Sequence, residues 1–393
     1  MTVFLGAEPS MLMTLGGGGE AHLWSAGHGV VSVDLGHAKT GERAARAHPR
    51  VVVLTHSDQD HINGAGPFFA VVTADKMPCG LLHELWMPYE WAVLVDVFGQ
   101  VATNGVDADD VRRIEDLAEP VGDAVEERPD GASRSGAEPV QWADPLTAEA
   151  GSHIDAAEGD DVNFHEGTIS NVARALSGAL AAGTIEAHYS PSERDVEGVA
   201  KDITKKAVKL GRILLDARSA EWRIRWFSTD HTRARSWMSS GEPGLVTISN
   251  AQEVQVHRAP ANGALLLRSA QLTVQNRRAL APYLWGRGSA GDAVIWSDGD
   301  GGGERNLRDF PWYAIGVMSA PHHGSRNAAH QPIWDSVLRS GRMPYVIRTG
   351  GSKRQTPHPL LRQLPAARSR STRSGRGFRP GDAIWWQGAG FHR

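Results

Sequence analysis

The stretch Thr55-His56-Ser57-Asp58-Gln59-Asp60-His61 holds four potential metal ligands within six residues, two imidazoles flanking two carboxylates. Acids this close repel each other, and ordering all four side chains in one loop is costly unless a cation neutralises them. A divalent metal site is the chemistry this set favours; the competing account is a charged surface turn. A second cluster, Ser319-Ala320-Pro321-His322-His323-Gly324-Ser325, carries adjacent imidazoles. Neighbouring side chains point apart, so at most one binds the metal directly while the other serves a substrate or a supporting acid. In a third, Trp296-Ser297-Asp298-Gly299-Asp300, either Asp298 or Asp300 could bridge two metals, against a plain Asp-Gly turn. Asp34, in Val-Ser-Val-Asp-Leu-Gly, is an ordinary acid alone but fits one site in the company of the others.

Short apolar runs must position these loops. MLMTL, AHLW, GVVSVDLG and RVVVLT open the chain. They are too short for helices and are bounded by Gly, so they predict successive strands. A helix start is expected at Asp60-His61-Ile62, and helices over 168–183 and 196–217, where apolar residues recur at helical spacing. EWRIRWF, GLVTIS, GALLLRSAQLTV and GDAVIWS resume a strand pattern. YAIGVMSA, PHHGS and PIWDSVLRS then read strand, loop and helix, and MPYVIRTG adds a strand. All three clusters thus fall at strand ends. An α/β sandwich with a long insertion at roughly 100 to 235 accounts for the order.

With 393 residues and 41% hydrophobic side chains, the chain has ample material for a core, which excludes wholesale disorder. No run approaches the ~18–20 apolar residues of a membrane span, and the opening MTVFLGAEPS shows no basic region followed by an apolar stretch, so secretion by a visible signal is not expected. The single cysteine, Cys79, excludes an internal disulfide and a cysteine-rich zinc site, so a cytoplasmic setting is expected. The net charge of −4 conceals two opposed regions. Residues 107–161 carry 17 acids and 4 bases, and read as a solvated loop; residues 336–393 carry 12 bases and only Asp382 as an acid. The basic region includes AARSRSTRSGRGFR, suited to tracking a phosphate backbone or to a plain solubilising surface.

His56-Ser57-Asp58-Gln59-Asp60-His61-Ile62-Asn63-Gly64 resembles the metal loop of the metallo-β-lactamase fold. More closely it resembles the HxDxDHIGG variant in the hydrolase domain of ComEC-type competence proteins. Gly17-Gly18-Gly19-Glu20-Ala21 is similar to that group's GQGDA turn, and Val33-Asp34-Leu35-Gly36 to its strand-end Asp-x-Gly. Asn276, Asp298 or Asp300, Pro321-His322-His323-Gly324-Ser325 and Thr356-Pro357-His358-Pro359 follow in the group's order. The resemblance covers about residues 10–90 and 240–365. It implies a four-layer αβ/βα sandwich with each half contributed by one end of the chain. Residues 1–100 would form the first half, 101–235 the acidic and helical insertion, and 236–393 the second half with its basic region.

It also implies that His56 and Asp58 hold one ion while Asp60, His61 and His323 hold another, bridged by Asp298 or Asp300. Asp58 stands where the usual signature has a second histidine. That oxygen ligand widens the plausible metals from Zn²⁺ to Mn²⁺ and Mg²⁺. The superfamily's separate third-motif histidine has no clear counterpart; His153, His165, His188 and His231 are the available substitutes. Asp60, His322 and His358 are the expected catalytic residues, and Ser325, Arg368, Arg370 and Arg373 the expected substrate contacts. The activity implied is that of a phosphodiesterase or nuclease using a metal-bound hydroxide and two ions, Zn²⁺ or Mn²⁺. Hydrolysis of a small ester, lactam or cyclic nucleotide is the alternative. A further one is a regulatory metal module whose insertion binds a protein partner.

Overall fold

The computed structural model describes residues 10–15, 19–27, 29–75, 82–92, 193–229, 235–254, 278–287, 291–301, 303–349, 356–365, 368–371, 383–387 and 390–392. Outside them lie Gly17, Gly18, Cys79, Asn276, Arg373, Arg376, Arg379, His153, His165, His188 and His231. So do the acidic stretch 107–161 and the elements expected over 168–183 and 263–274. The chain divides into two units, Met1–Val95 with Lys209–Pro260 and Arg268–Arg393, and Asp96–Val208 with Ala261–Leu267. Every described strand belongs to the first.

In chain order the strands are β1 (Met11–Leu15), β2 (His22–Ser25), β3 (Val30–Val33), β4 (Val51–Val53), β5 (Glu84–Pro88), β6 (Arg223–Ser228), β7 (Gly241–Glu242) and β8 (Val246–Ile248). Then come β9 (Gln252–Val254), β10 (Pro282–Leu284), β11 (Asp292–Val294), β12 (Ile315–Ser319), β13 (Tyr345–Arg348), β14 (Ser369–Ser371), β15 (Ala383–Gln387) and β16 (Gly390–His392). One sheet has the order β16-β15-β1-β2-β3-β4-β5-β6-β9, the other β14-β13-β12-β11-β10-β8-β7. Both are mixed: β3 to β6 run parallel in the first, β11 to β14 in the second. The protein is therefore a mixed α/β chain built on two sheets.

The division of strands differs from the expected split by chain end. β9 pairs with β6, and β15 pairs with β1, so pieces of 236–393 belong to the first sheet. The reason is burial. Trp386 on β15 is fully buried opposite Leu12 and stacks on Trp24, ring centroids 6.4 Å apart. Pairing β15 on β1 also removes a bare sheet edge.

The helices are α1 (Ala38–Ala45), α2 (Gln59–Ile62), α3 (Ala65–Ala74), α4 (Glu193–Ser219), α5 (Gly303–Arg308), α6 (Gln331–Arg339) and α7 (Pro359–Gln363). The helix expected over 196–217 is α4; its Leu210, Ile213, Leu214 and Ala217 are buried at the spacing of one helical face. In α6, Ile333, Trp334 and Val337 are likewise buried. Among the described residues no helix is long and apolar enough to cross a membrane.

Side-chain alternation builds two apolar layers. Ala293 and Ile295 enter a cluster shared with Val31, Val33, Val51, Val53 and Trp386 of the first sheet. Val294 and Trp296, on the opposite face, enter another with residues of α5 and α6.

The arrangement that matters for chemistry is the parallel core of each sheet. Parallel strands present their carboxyl ends on one edge. Asp34 follows β3, His56–His61 follow β4, Ser297 and Asp298 follow β11, His322 and His323 follow β12, and Thr349 follows β13. Side chains from strand ends can thus converge although nearly 270 positions separate His56 from His323.

Candidate metal centre

Two imidazoles of the first loop are sealed in the protein. His56 and His61 are fully buried with ring centroids 3.8 Å apart. His61 Nδ1 lies 2.7 Å from Asp34 Oδ2, and the same carboxylate accepts from Thr55 N–H at 2.8 Å and Thr55 Oγ1 at 2.7 Å. An ionised carboxylate only accepts, so Nδ1 of His61 donates, and in the neutral ring Nε2 is the nitrogen left to bind a cation. Thr55, having given its proton to Asp34, can only accept from His56 Nδ1 at 3.1 Å. Ser297 Oγ stands 3.2 Å from the same nitrogen. Both rings therefore present Nε2 as a ligand atom, each fixed from behind as metal-binding histidines commonly are.

The front of the site is made of carboxylates and His323. Asp58 Oδ2 lies 3.8 Å and Asp298 Oδ2 3.5 Å from His56 Nε2. His323 Nε2 lies 3.5 Å from Asp60 Oδ2 and 3.8 Å from Asp298 Oδ1. His61 Nε2 lies 3.9 Å from Asp60 Oδ1. Ligands each ~2.0–2.2 Å from one tetrahedral ion stand roughly 3.3–3.6 Å apart, so these gaps suit shared coordination. Three groups have ligand atoms within 4.8 Å of one another: Glu20, His61 and His323; Asp34, His56 and His61; His56, Asp58 and Asp298. His61 Nε2 is buried with no hydrogen-bond partner among the described residues. Leaving such a nitrogen unsatisfied costs about 1–3 kcal/mol, which a bound cation would offset. The donor set of imidazole nitrogen and carboxylate oxygen fits Zn²⁺ or Mn²⁺.

Electrostatics follow from this crowding. Burial pushes Asp34 and Asp298 above the usual carboxylate range, against the pull of the neighbouring histidines. Burial would lower His61 and His323, but the carboxylates of Asp34 and Glu20 respectively hold both above an ordinary histidine, His61 well above. Burial opposes ionisation of Glu20, but hydrogen bonding from His22 and His323 and the charges of His61 and His323 together hold it well below its normal value.

Backbone strain gathers here too. Seven described non-glycine residues have positive φ, and Asp34, Ser297, His322 and His323 are four of them. Residues forced into that region are held by their surroundings and concentrate at functional sites. Gly19 serves a close approach instead. A Cβ there would sit 2.4 Å from the carbonyl oxygen of Asp60, and the adjacent Glu20 N–H donates to that oxygen at 2.7 Å.

The sequence candidates divide. His56, Asp58, Asp60, His61, Asp298 and His323 converge. Asp298 faces both His56 and His323, at 3.5 and 3.8 Å, and is the carboxylate of this turn that meets the histidines directly. His322 sits at the open edge, Nε2 3.8 Å from Asp298 Oδ2 and Nδ1 3.4 Å from Asn327 Nδ2. Ser325 is buried beside it, its hydroxyl without a hydrogen bond among the described residues.

His358 is used differently: Nδ1 accepts from Leu360 N–H, Nε2 meets Gln331 Oε1 at 3.1 Å, and the ring stacks on Trp334. Both nitrogens are engaged, so His358 caps α7. Burial, then the Arg326 charge, lower its pKa. Arg368 lies over Tyr345 and donates to Met343 O; Arg370 is exposed on the outermost strand β14, and Arg373 lies outside the described residues.

The sequence marks Glu20 only as part of a turn and leaves His22 and Thr349 unmarked. The available signal was Glu20-x-His22, two ionisable residues on one face at the head of an apolar strand.

Compared with known proteins, the chain is matched by no protein-family model and by no curated sequence.

Proposed function

We propose that the chain is a metal-dependent hydrolase of phosphodiesters, built as a four-layer αβ/βα sandwich of the metallo-β-lactamase type. The observation that carries this reading is Asp298. Its Oδ2 faces His56 and its Oδ1 faces His323, at 3.5 and 3.8 Å, as expected of a carboxylate shared between two ions. His56 and Asp58 would hold one ion; Asp60, His61 and His323 would hold the other. When bound, such a pair supplies Lewis acidity toward a phosphoryl oxygen and lowers the pKa of water to near neutrality.

The chain's own groups do the rest. Asp34 and Thr55 keep both buried rings in one tautomer, and the sealed imidazoles exclude solvent from the back of the site. Asp58 and Asp60 are about one-third exposed and form the face a substrate meets. His322, turned to the same opening and close to Asn327, is suited to hydrogen-bond a substrate oxygen or pass a proton to the leaving group. The excess of bases over acids in residues 336–393 favours an anionic substrate over a neutral ester or lactam.

The test is chelator-stripped protein reloaded with Zn²⁺ or Mn²⁺ and assayed on bis(p-nitrophenyl) phosphate, DNA, RNA, cyclic nucleotides, a carboxylic ester and a lactam. Metal-dependent cleavage of phosphodiesters is expected. Turnover of the ester or lactam alone, or a protein that binds no metal, overturns the proposal.

A further inference from the structure

Behind His323 lies a second, wholly buried polar chain that none of the roles above employs. Glu20 Oε2 is 3.1 Å from His323 Nδ1, at hydrogen-bond length although off the axis of an ideal ring N–H bond. The same oxygen accepts from Thr349 Oγ1 at 2.7 Å, a contact across 329 positions. Its partner oxygen Oε1 meets His22 Nε2 at 3.1 Å, and His22 Nδ1 meets Thr14 Oγ1 at 2.8 Å. Glu20, His22 and Thr14 are all fully buried. A carboxylate without exposure is expensive unless its lone pairs are filled, and here three side chains from both ends of the chain surround it.

Thr14 and His22 face each other directly in the β1–β2 pair, so the strand register itself sets this arrangement. Because Glu20 only accepts, His22 Nε2 carries the proton of that contact, and Nδ1 behind it is engaged by Thr14 Oγ1.

We propose that Glu20 is a positioning residue that holds His323 as its Nδ1-protonated tautomer, aiming Nε2 at Asp60 and Asp298. This rests on the metal-site reading above and deepens it. The two histidines proposed for one ion acquire matching supports, Asp34 behind His61 and Glu20 behind His323. Outer supports of this kind change metal affinity by ~10–100-fold when removed.

The experiment uses the full chain. Long-range ¹⁵N–¹H spectra of the metal-free protein, recorded at a pH where the His323 ring is neutral and assigned with a His323→Gln variant, report its tautomer; protonation at Nδ1 is expected. Competition with a chromogenic chelator, on wild type and Glu20→Gln, reports the affinity for each Zn²⁺. Weakening of one ion by ~10–100-fold with the other retained is the expected result. Thr349→Val, which removes one support of Glu20 without touching His323, should weaken the same ion less, and it stands in if Glu20→Gln does not fold.

A folded Glu20→Gln protein, or a folded Thr349→Val protein in its place, with both affinities unchanged overturns the assignment. So does His323 protonated at Nε2, which would turn the Nδ1 lone pair toward Glu20 and make that carboxylate a ligand. Equal weakening of both ions marks a general structural defect and also counts against it. Wild type that binds no metal sinks the proposed function instead, and the tautomer then decides the role of Glu20 by itself.

Discussion

The two loops that supply the histidines are held in opposite ways. Residues 55–64, after β4, contain no positive φ, and their rings are fixed by side chains: Asp34, Thr55 and Ser297. The turn Pro321–Gly324, after β12, has φ of 46, 56 and 78° at His322, His323 and Gly324. Its backbone is pinned by His322 N–H to Ser297 O at 2.7 Å and His358 N–H to Gly324 O at 2.9 Å. A loop held by hydrogen-bonded side chains fails when a partner is removed. One held in a strained backbone depends on its surroundings to keep it there, and tolerates glycine where others do not.

The largest effect should come from the first loop. Replacing Asp60 and His61 together with Ala should remove at least one bound ion and nearly all hydrolysis. The loss should exceed the ~10–100-fold that outer supports cost. Elemental analysis showing unchanged metal content would break the assignment.

Next is Asp34→Ala, which strands His61 Nδ1 and the Thr55 N–H in a buried setting. A stability loss of about 3–5 kcal/mol is expected from breaking a buried charged pair, measured by denaturant unfolding of the metal-free protein. A loss under ~1 kcal/mol would mean that Asp34 does not support the loop.

The second loop should respond to backbone changes instead. Gly324→Ala meets a positive φ, and its Cβ would lie 2.6 Å from Leu361 Cδ1. It should cost about 1–3 kcal/mol, read as a lowered Tm. His322→Gly, which relieves a left-handed residue while adding chain entropy, should leave stability within ~1 kcal/mol yet slow hydrolysis. A large destabilisation by His322→Gly would erase the contrast between the loops.

The smallest effect lies farthest from the metals. Changing Arg368, Arg370 and Arg373 to Gln should flatten the salt dependence of nucleic-acid binding, by a log–log slope of ~0.7–0.9 for each phosphate that is no longer neutralised. Turnover of a small phosphodiester should stay nearly the same. An unaltered salt slope in the triple variant would favour a small substrate. Arg368 is already held by Met343 O and Tyr345, so Arg370 should account for more of the change.

Local signals were legible where they are periodic or dense. Apolar runs marked β1 to β4 and β11 to β13, helical spacing marked α4, and the crowded acids and imidazoles of 56–61 marked the metal loop. Each depends on residues within a few positions of one another, which is the range over which propensity and patterning act. What no local pattern carries is which distant strand a residue meets. Trp386 joins β15 to the first sheet, where the shared core buries its indole. Asp298 entered the cluster through its position after β11 beside His56 and His323. His358 left it because Trp334 and Gln331, brought by α6, occupy its ring. Glu20 acquired its setting only when Thr349, at the end of β13, reached it from the other sheet. The sequence alone determined the ligand types and the strand-end loops that carry them. Tertiary structure decided the partners, because a buried charge takes its meaning from whatever the folded chain brings within hydrogen-bond distance.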